Sequence, residues 1–264
     1  MNYMSSKTEV QDSRCKDEAG HKSRGIDVAE LKAQCQHCDM NPVCHPPSLN
    51  VEELDSLDQW FPTRRRLRRG ETLFEQGEPF NALYAVRSGF FKTLVPSQQQ
   101  RDQVTGFLMT GEILGMDGIG SGHHACRAVA LEVSEVCMMP YGSVDEIAKA
   151  FPTLHAHLNR LMSQRIVQDQ AAFQILANMR SEARLAAFIL DLSKRFAHLG
   201  YSPNTFVLRM TREEIGSYLG LSLETVSRLF SRFQDDGLVD VQTRHLQITN
   251  PDALAEVASG RTAH

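Results

Sequence analysis

The chain has 264 residues, 42% hydrophobic and 23% charged, with a formal net charge of −4. No apolar run approaches the roughly 20 residues a membrane helix needs, and Met1 to Lys7 lacks the apolar stretch of an export signal, so we expect a cytoplasmic protein and no membrane partner. A chain that is not broadly basic can bind nucleic acid only through a local patch.

Residues 1–30 hold 11 charged residues and nine hydrophobic ones, too little to form a core, and are predicted to be a disordered tail. Residues 31–48 are a short cysteine-rich segment closed by His45-Pro46-Pro47, where the prolines block helix continuation. Val51, Leu54 and Leu57 have helical spacing behind Asn50 as N-cap. From about 66 to 140, short apolar runs alternate with glycines. Leu73-Phe74, Leu83-Tyr84-Ala85-Val86, Phe90-Phe91, Gly106-Phe107-Leu108 and Ala128-Val129-Ala130-Leu131 predict an antiparallel β-sandwich or roll. The five arginines within Arg64 to Arg69 read as a solvated start of that region rather than a nucleic-acid patch.

Residues 143–178 predict one long helix, with Phe151-Pro152 at its start. Met162, Ile166, Asp169, Phe173 and Leu176 step by 4, 3, 4 and 3, a coiled-coil seam with one acid inside it. Such a seam predicts pairing with a second helix; in a parallel two-fold pair Asp169 would face its own copy and weaken the contact by repulsion and lost hydration. Ser181 to Leu190 then begins an amphipathic helix, followed by two more helices and a hairpin.

Met210 to Phe230 is the most informative stretch. Thr211 and Glu214 form a capping box, Gly220 permits a tight turn, and Ser222 caps a second helix whose Val226, Leu229 and Phe230 face inward. Its outward face carries Glu224, Thr225, Ser227, Arg228 and Arg232. A short helix, a glycine turn and a second helix with polar residues near its N-terminus are helix-turn-helix geometry. Arginine can take guanine O6 and N7, glutamate can accept from cytosine N4, and serine can contact bases or phosphate. Residues 179–264 hold ten Lys+Arg and ten Asp+Glu, so binding would rest on local placement of Arg212, Arg228 and Arg232. Gly237 to Val241 and His245 to Ile248 read as a wing.

Six cysteines stand at 15, 35, 38, 44, 126 and 137. A disulfide scaffold does not suit a cytoplasmic chain of this length. Cys35-x2-Cys38-x5-Cys44 offers three close thiolates, and a fourth would come from elsewhere. Four thiolates suit zinc or an iron–sulfur cluster, and spacing does not separate the two. Cys15, inside the tail, reads as a free thiol.

Taken together, Cys35-Gln36-His37-Cys38 with Cys44, Gly70-Glu71-Thr72-Leu73-Phe74, Val86-Arg87-Ser88-Gly89, Gly118 to His124, Arg160-Leu161-Met162-Ser163 and Ile215 to Leu221 resemble the FNR regulators of the cyclic AMP receptor protein superfamily, over most of the chain from Cys35 to about residue 256. The resemblance implies an α+β fold. It has a disordered tail (1–30), an N-terminal cysteine segment (31–48), an antiparallel β-roll sensor domain (49–147), a long dimerisation helix (148–178) and a C-terminal winged helix-turn-helix domain (179–264). It implies an oxygen-labile [4Fe–4S] cluster on Cys35, Cys38, Cys44 and Cys137, with Cys15 and Cys126 not ligands. It also implies a homodimer reading a palindrome with TTGAT-like half-sites through Glu224, Ser227 and Arg228, with RNA polymerase as partner. Ile166, Asp169 and Phe173 would form the dimer switch. One departure concerns the loop from Pro96 to Asp102. It lacks glycine and carries Arg101 where relatives tend to be acidic, so the resemblance does not extend their polymerase contact to this loop.

Two other functions meet obstacles in the sequence. A cyclic-nucleotide receptor on this fold needs an arginine for the cyclic phosphate, and the matching position is His124, with Arg127 three residues on. No substrate-site constellation accompanies the thiols, so we expect no enzyme.

Overall fold

The computed structural model describes residues 63–96, 102–143, 149 and 152–260. Cys15, Cys35, Cys38 and Cys44, the helix expected around Val51 to Leu57, and Arg101 lie outside the described residues.

Eight antiparallel strands form two four-stranded sheets. Strands β1 (Thr63–Leu67), β8 (Ser134–Pro140), β3 (Ala82–Ser88) and β6 (Ile113–Leu114) lie side by side in that order in one sheet. In the other the order is β2 (Thr72–Phe74), β7 (Arg127–Ala130), β4 (Phe90–Pro96) and β5 (Asp102–Met109). The sequence around this roll does not alternate cleanly between apolar and polar, and the packing gives the reason. Phe91, Leu108, Ala128 and Ala130 face Leu67, Phe74, Val86 and Val136 in the roll interior. Their neighbours Phe90, Phe107, Met109, Val129 and Leu131 belong to a second core shared with the C-terminal domain. A strand residue and its neighbour point to opposite faces, so a sheet covered on both faces becomes apolar throughout. Two arginines of the run are structural, since Arg65 donates to the carbonyls of Leu73 and Thr72 at 2.9 and 3.1 Å and Arg64 lies 3.7 Å from Glu135, while Arg66, Arg68 and Arg69 are exposed.

Helix α1 (Pro152–Asn178) follows, 27 residues long, roughly 40 Å at 1.5 Å per residue. Helix α2 (Ser181–His198) starts the C-terminal domain and buries Leu185, Phe188, Ile189 and Leu192. Helices α3 (Arg212–Leu219) and α4 (Leu223–Asp235) make the helix-turn-helix. The wing is a three-stranded sheet in the order β10 (Val239–Gln242), β11 (His245–Ile248), β9 (Thr205–Val207). Strand β9 and the closing helix α5 (Pro251–Ala258) were not anticipated from sequence. A three-residue strand carries too little pattern to read, and β9 exists because the exposed edge of β11 pairs with it.

Candidate nucleic-acid interface

The turn between α3 and α4 is built by local chemistry. The Thr211 hydroxyl accepts from the Glu214 amide at 3.1 Å while the Glu214 carboxylate accepts from the Thr211 amide at 2.6 Å, closing both ends of the capping box. Gly220 takes φ +64°, and a side chain at Gly216 would stand 2.6 Å from the Leu221 carbonyl, so these two glycines let the helices fold back on each other. Ser222 accepts from the Thr225 amide at 3.1 Å and starts α4. Val226, Leu229, Phe230 and Phe233 are buried, which leaves Glu224, Ser227 and Arg228 exposed together along the first two turns. The Glu224 carboxyl is held below its ordinary value by its own backbone amide and by Ser222, with Arg228 adding to the effect. An ionised acceptor therefore sits beside a cationic donor on one solvent-facing strip, with the donor and acceptor types that meet base edges in a major groove.

The other two arginines point elsewhere. The Arg212 guanidinium stacks on the Phe230 ring, 3.4 Å from its centroid, and burial pushes its pKa down to about 10. This stacking ties α3 to α4, with Nη1 buried and without a hydrogen-bond partner among the described residues. Arg232 lies 3.1 Å from Glu182 on α2 and 3.6 Å from Asp236. Arg212 is thus committed to the turn, whereas Arg232 keeps 62% of its side chain exposed.

The reading head is fastened to the roll. Lys92 on β4 donates to Glu214 at 2.7 Å. The Val104 amide on the edge of β5 donates to the Ser217 hydroxyl at 2.9 Å, and Gln103 donates to the Ser217 carbonyl. Arg195 on α2 donates at 2.7 Å both to the Phe107 carbonyl and to Glu112. Burial opposes the Arg195 charge, but Glu112 and Asp191 raise its pKa. Phe107, Phe188 and Tyr218 meet with centroids 5.3 to 5.9 Å apart. On the roll side, Lys92, Gln103 and Val104 carry no motif of their own; Glu214, Ser217 and Tyr218 lie within the helix-turn-helix motif.

On α1, Ile166 and Phe173 are 58% and 71% exposed, with Val167 beside them. Asp169 is exposed in the same stretch, and its Oδ1 lies 3.0 Å from Arg165 Nε one turn back.

The two described cysteines differ, and neither forms a disulfide. The Cys126 thiol donates to Asp117 at 3.4 Å, and burial followed by the Asp117 charge pushes its pKa up to about 12, so it stays protonated. Cys137 lies in β8 opposite Arg64 and Ala85, with Ser134 and Val136 buried and Glu135 and Cys137 partly exposed. It thus occupies the outer face of its sheet, beside the strand by which residues 1–62 join the roll. Among the described residues, no group of three or more His, Cys, Asp or Glu is placed to hold a metal ion, and no helix is long and apolar enough to cross a membrane.

Comparison with known proteins follows this division. The Crp-like helix-turn-helix domain family matches residues 183–257 and the cyclic nucleotide-binding domain family matches residues 64–151. The chain is 45% identical over 235 residues to the fumarate and nitrate reduction regulatory proteins of Escherichia coli strain K12 and of Salmonella typhi, covering 89% of this chain and 94% of each relative. Among solved structures, FixK2 from Bradyrhizobium japonicum shares the fold with a TM-score of 0.68 at 24% identity, over 76% of this chain and 98% of its own. With this identity over nearly its whole length and a helix-turn-helix reading head fixed to a β-roll, the chain belongs to the FNR family of transcription regulators, and is not an enzyme.

Proposed function

We propose that this protein is an oxygen-responsive regulator of anaerobic genes, acting in the cytoplasm as a homodimer on a TTGAT-like palindrome and passing its signal to RNA polymerase. The observation that carries the reading is the exposed Glu224–Ser227–Arg228 strip on a helix whose opposite face is buried in a rigid domain. A base-reading side chain must be solvent-facing and fixed in register, and this strip is both. Arg212 and Arg232 support it by holding α4 against α3 and α2.

The ligands we assign are Cys35, Cys38 and Cys44, which precede the roll, and Cys137 on the outer face of β8. The donor chemistry fits: Cys137 is partly exposed on the sheet that the N-terminal region enters, whereas Cys126 is a protonated thiol committed to Asp117. When bound, a [4Fe–4S] cluster supplies an oxygen-labile centre coordinated by thiolates. The chain's own part is to join residues 31–48 to the roll beside α1, whose exposed Ile166 and Phe173 then pair with a second copy. Asp169 sets the strength of that pairing.

Anaerobic purification followed by visible absorbance and iron, sulfide and zinc analysis tests this. We expect a brown protein with equal iron and sulfide that bleaches in air, loses its iron in Cys137→Ala and keeps it in Cys126→Ala; a colourless zinc protein overturns the reading. On DNA, Arg228→Ala should cost about 1–3 kcal/mol at one base pair of each half-site. Equal loss on scrambled DNA would reduce Arg228 to a phosphate contact.

A further inference from the structure

The roll contains a polar constellation that the regulator reading does not use. Asp117 sits in a one-turn 3-10 helix (Met116–Gly118), and its Oδ2 accepts from two consecutive backbone amides, Ala125 at 2.7 Å and Cys126 at 3.2 Å, and from the Cys126 thiol at 3.4 Å. Its Oδ1 lies 3.5 Å from Nδ1 of His124, a side chain only 1% exposed. Ala125 and Cys126 are eight and nine residues away in sequence and His124 is seven, so this contact spans more than a local turn.

The receiving segment is built rigidly. The His124 amide donates to the Glu78 carbonyl at 2.9 Å and the His124 carbonyl accepts from the Gly77 amide at 2.8 Å. Its ring stacks on Phe74 with centroids 3.7 Å apart and meets Phe80 edge-on. Successive backbone N–H groups aimed at one point form an anion-binding concavity, and a charged acceptor strengthens each such bond. Arg127, the neighbouring cation in sequence, is engaged by Asp102 and lies 3.9 Å from Glu75, and the cation whose charge reaches Cys126 is Arg165 on α1.

We infer that the roll is internally liganded: the Asp117 carboxylate occupies a backbone anion site at His124–Cys126 that would otherwise take a phosphate-class anion. The domain that matches a cyclic nucleotide-binding family thereby carries its own fixed anion at this point. Asp117 keeps 24% of its side chain exposed, so the site opens to solvent when that carboxylate is removed. The inference is independent of cluster ligation.

The test compares wild type, Asp117→Ala and Asp117→Asn by thermal unfolding and equilibrium binding. The probes are inorganic phosphate, against chloride at matched ionic strength, and cyclic AMP. Wild type should show no saturable response to either probe. Asp117→Ala should be destabilised in chloride and regain stability saturably with phosphate, with at least a tenfold gain in phosphate affinity over wild type. Asp117→Asn retains an oxygen for the two amides, so it should fold and respond less than the alanine variant. If Asp117→Ala does not fold in chloride, refolding in phosphate decides: recovery supports the inference and no recovery overturns it. A folded Asp117→Ala indifferent to phosphate, or a wild type that binds cyclic AMP, also overturns it.

Discussion

Two apolar surfaces of this molecule end differently. The face of β4, β5 and β7 that carries Phe90, Phe107 and Val129 is covered by α2, α3 and the wing, and the roll and the reading head share one core. The face of α1 that carries Ile166 and Phe173 stays exposed among the described residues. Both arise from the same ingredient, large apolar side chains at regular spacing, and the difference lies in what surrounds them. At the first surface the rim is paired: Lys92 with Glu214, Arg195 with Glu112, Arg209 with Glu132. At the second, Asp169 is paired with Arg165 on its own helix. The first surface is a completed interior; the second is the face that we propose pairs with a second copy.

The largest effect expected is at the completed surface. Phe107→Ala removes the ring at the junction of Phe188 and Tyr218, and a buried phenylalanine truncated to alanine costs about 3–5 kcal/mol. Urea unfolding should show roll and C-terminal domain losing stability together; if fluorescence and circular dichroism report separate transitions with only one shifted, the shared core is not cooperative.

At the open surface, Phe173→Glu should leave the unfolding free energy of a single chain within about 0.5 kcal/mol, because the ring is already in water. It should weaken dimerisation by about 3 kcal/mol, over a hundredfold, since each copy loses a ring burial worth about 1.5–3 kcal/mol. Sedimentation of the anaerobic protein reads this directly, and an unchanged dimer would place the seam elsewhere.

Lys92→Met strips the partner from a largely buried carboxylate and should cost about 1–2 kcal/mol. The cost should depend on pH. Burial pushes the Glu214 carboxyl up, but bonds from Lys92 and the Thr211 amide outweigh it and the net shift is downward. A depressed folded pKa means stabilisation that is complete above the unfolded value near ~4.3 and is lost as pH falls through the folded value. Wild type and Lys92→Met should therefore differ most at neutral pH and converge in acid; parallel curves down to pH 3 would show that the pair does not contribute.

The smallest effect is at Asp169. Because Arg165 already offsets its charge, Asp169→Ala should favour pairing of the cluster-free protein by about 1 kcal/mol, several-fold in the dimer constant. A cluster-free Asp169→Ala that remains as monomeric as wild type at micromolar concentration would remove Asp169 from the switch.

Much of this was legible from residues alone, for a reason that can be stated. The capping box, the turn glycine and the Ser222 cap of the helix-turn-helix act over three or four residues, so sequence spacing specifies them outright. The roll was legible as a class, since glycines and short apolar runs punctuate strands locally, and the 4-3-4-3 apolar spacing of α1 is likewise a local property. What only the tertiary structure decided are the contacts between segments far apart in the chain. Arg212 and Arg228 look alike in a string of letters, yet Arg212 is stacked on Phe230 while Arg228 faces solvent, and Arg232 meets Glu182 at the surface. Cys126 and Cys137 are both thiols, yet burial and Asp117 push the pKa of one up while the other lies on an outer sheet face beside the N-terminal junction. Asp117 itself carried no signal at all, because an acid that meets two backbone amides eight and nine residues away has no local pattern. Each of these outcomes depends on which partner a side chain meets after folding, and that is set by packing across the whole molecule.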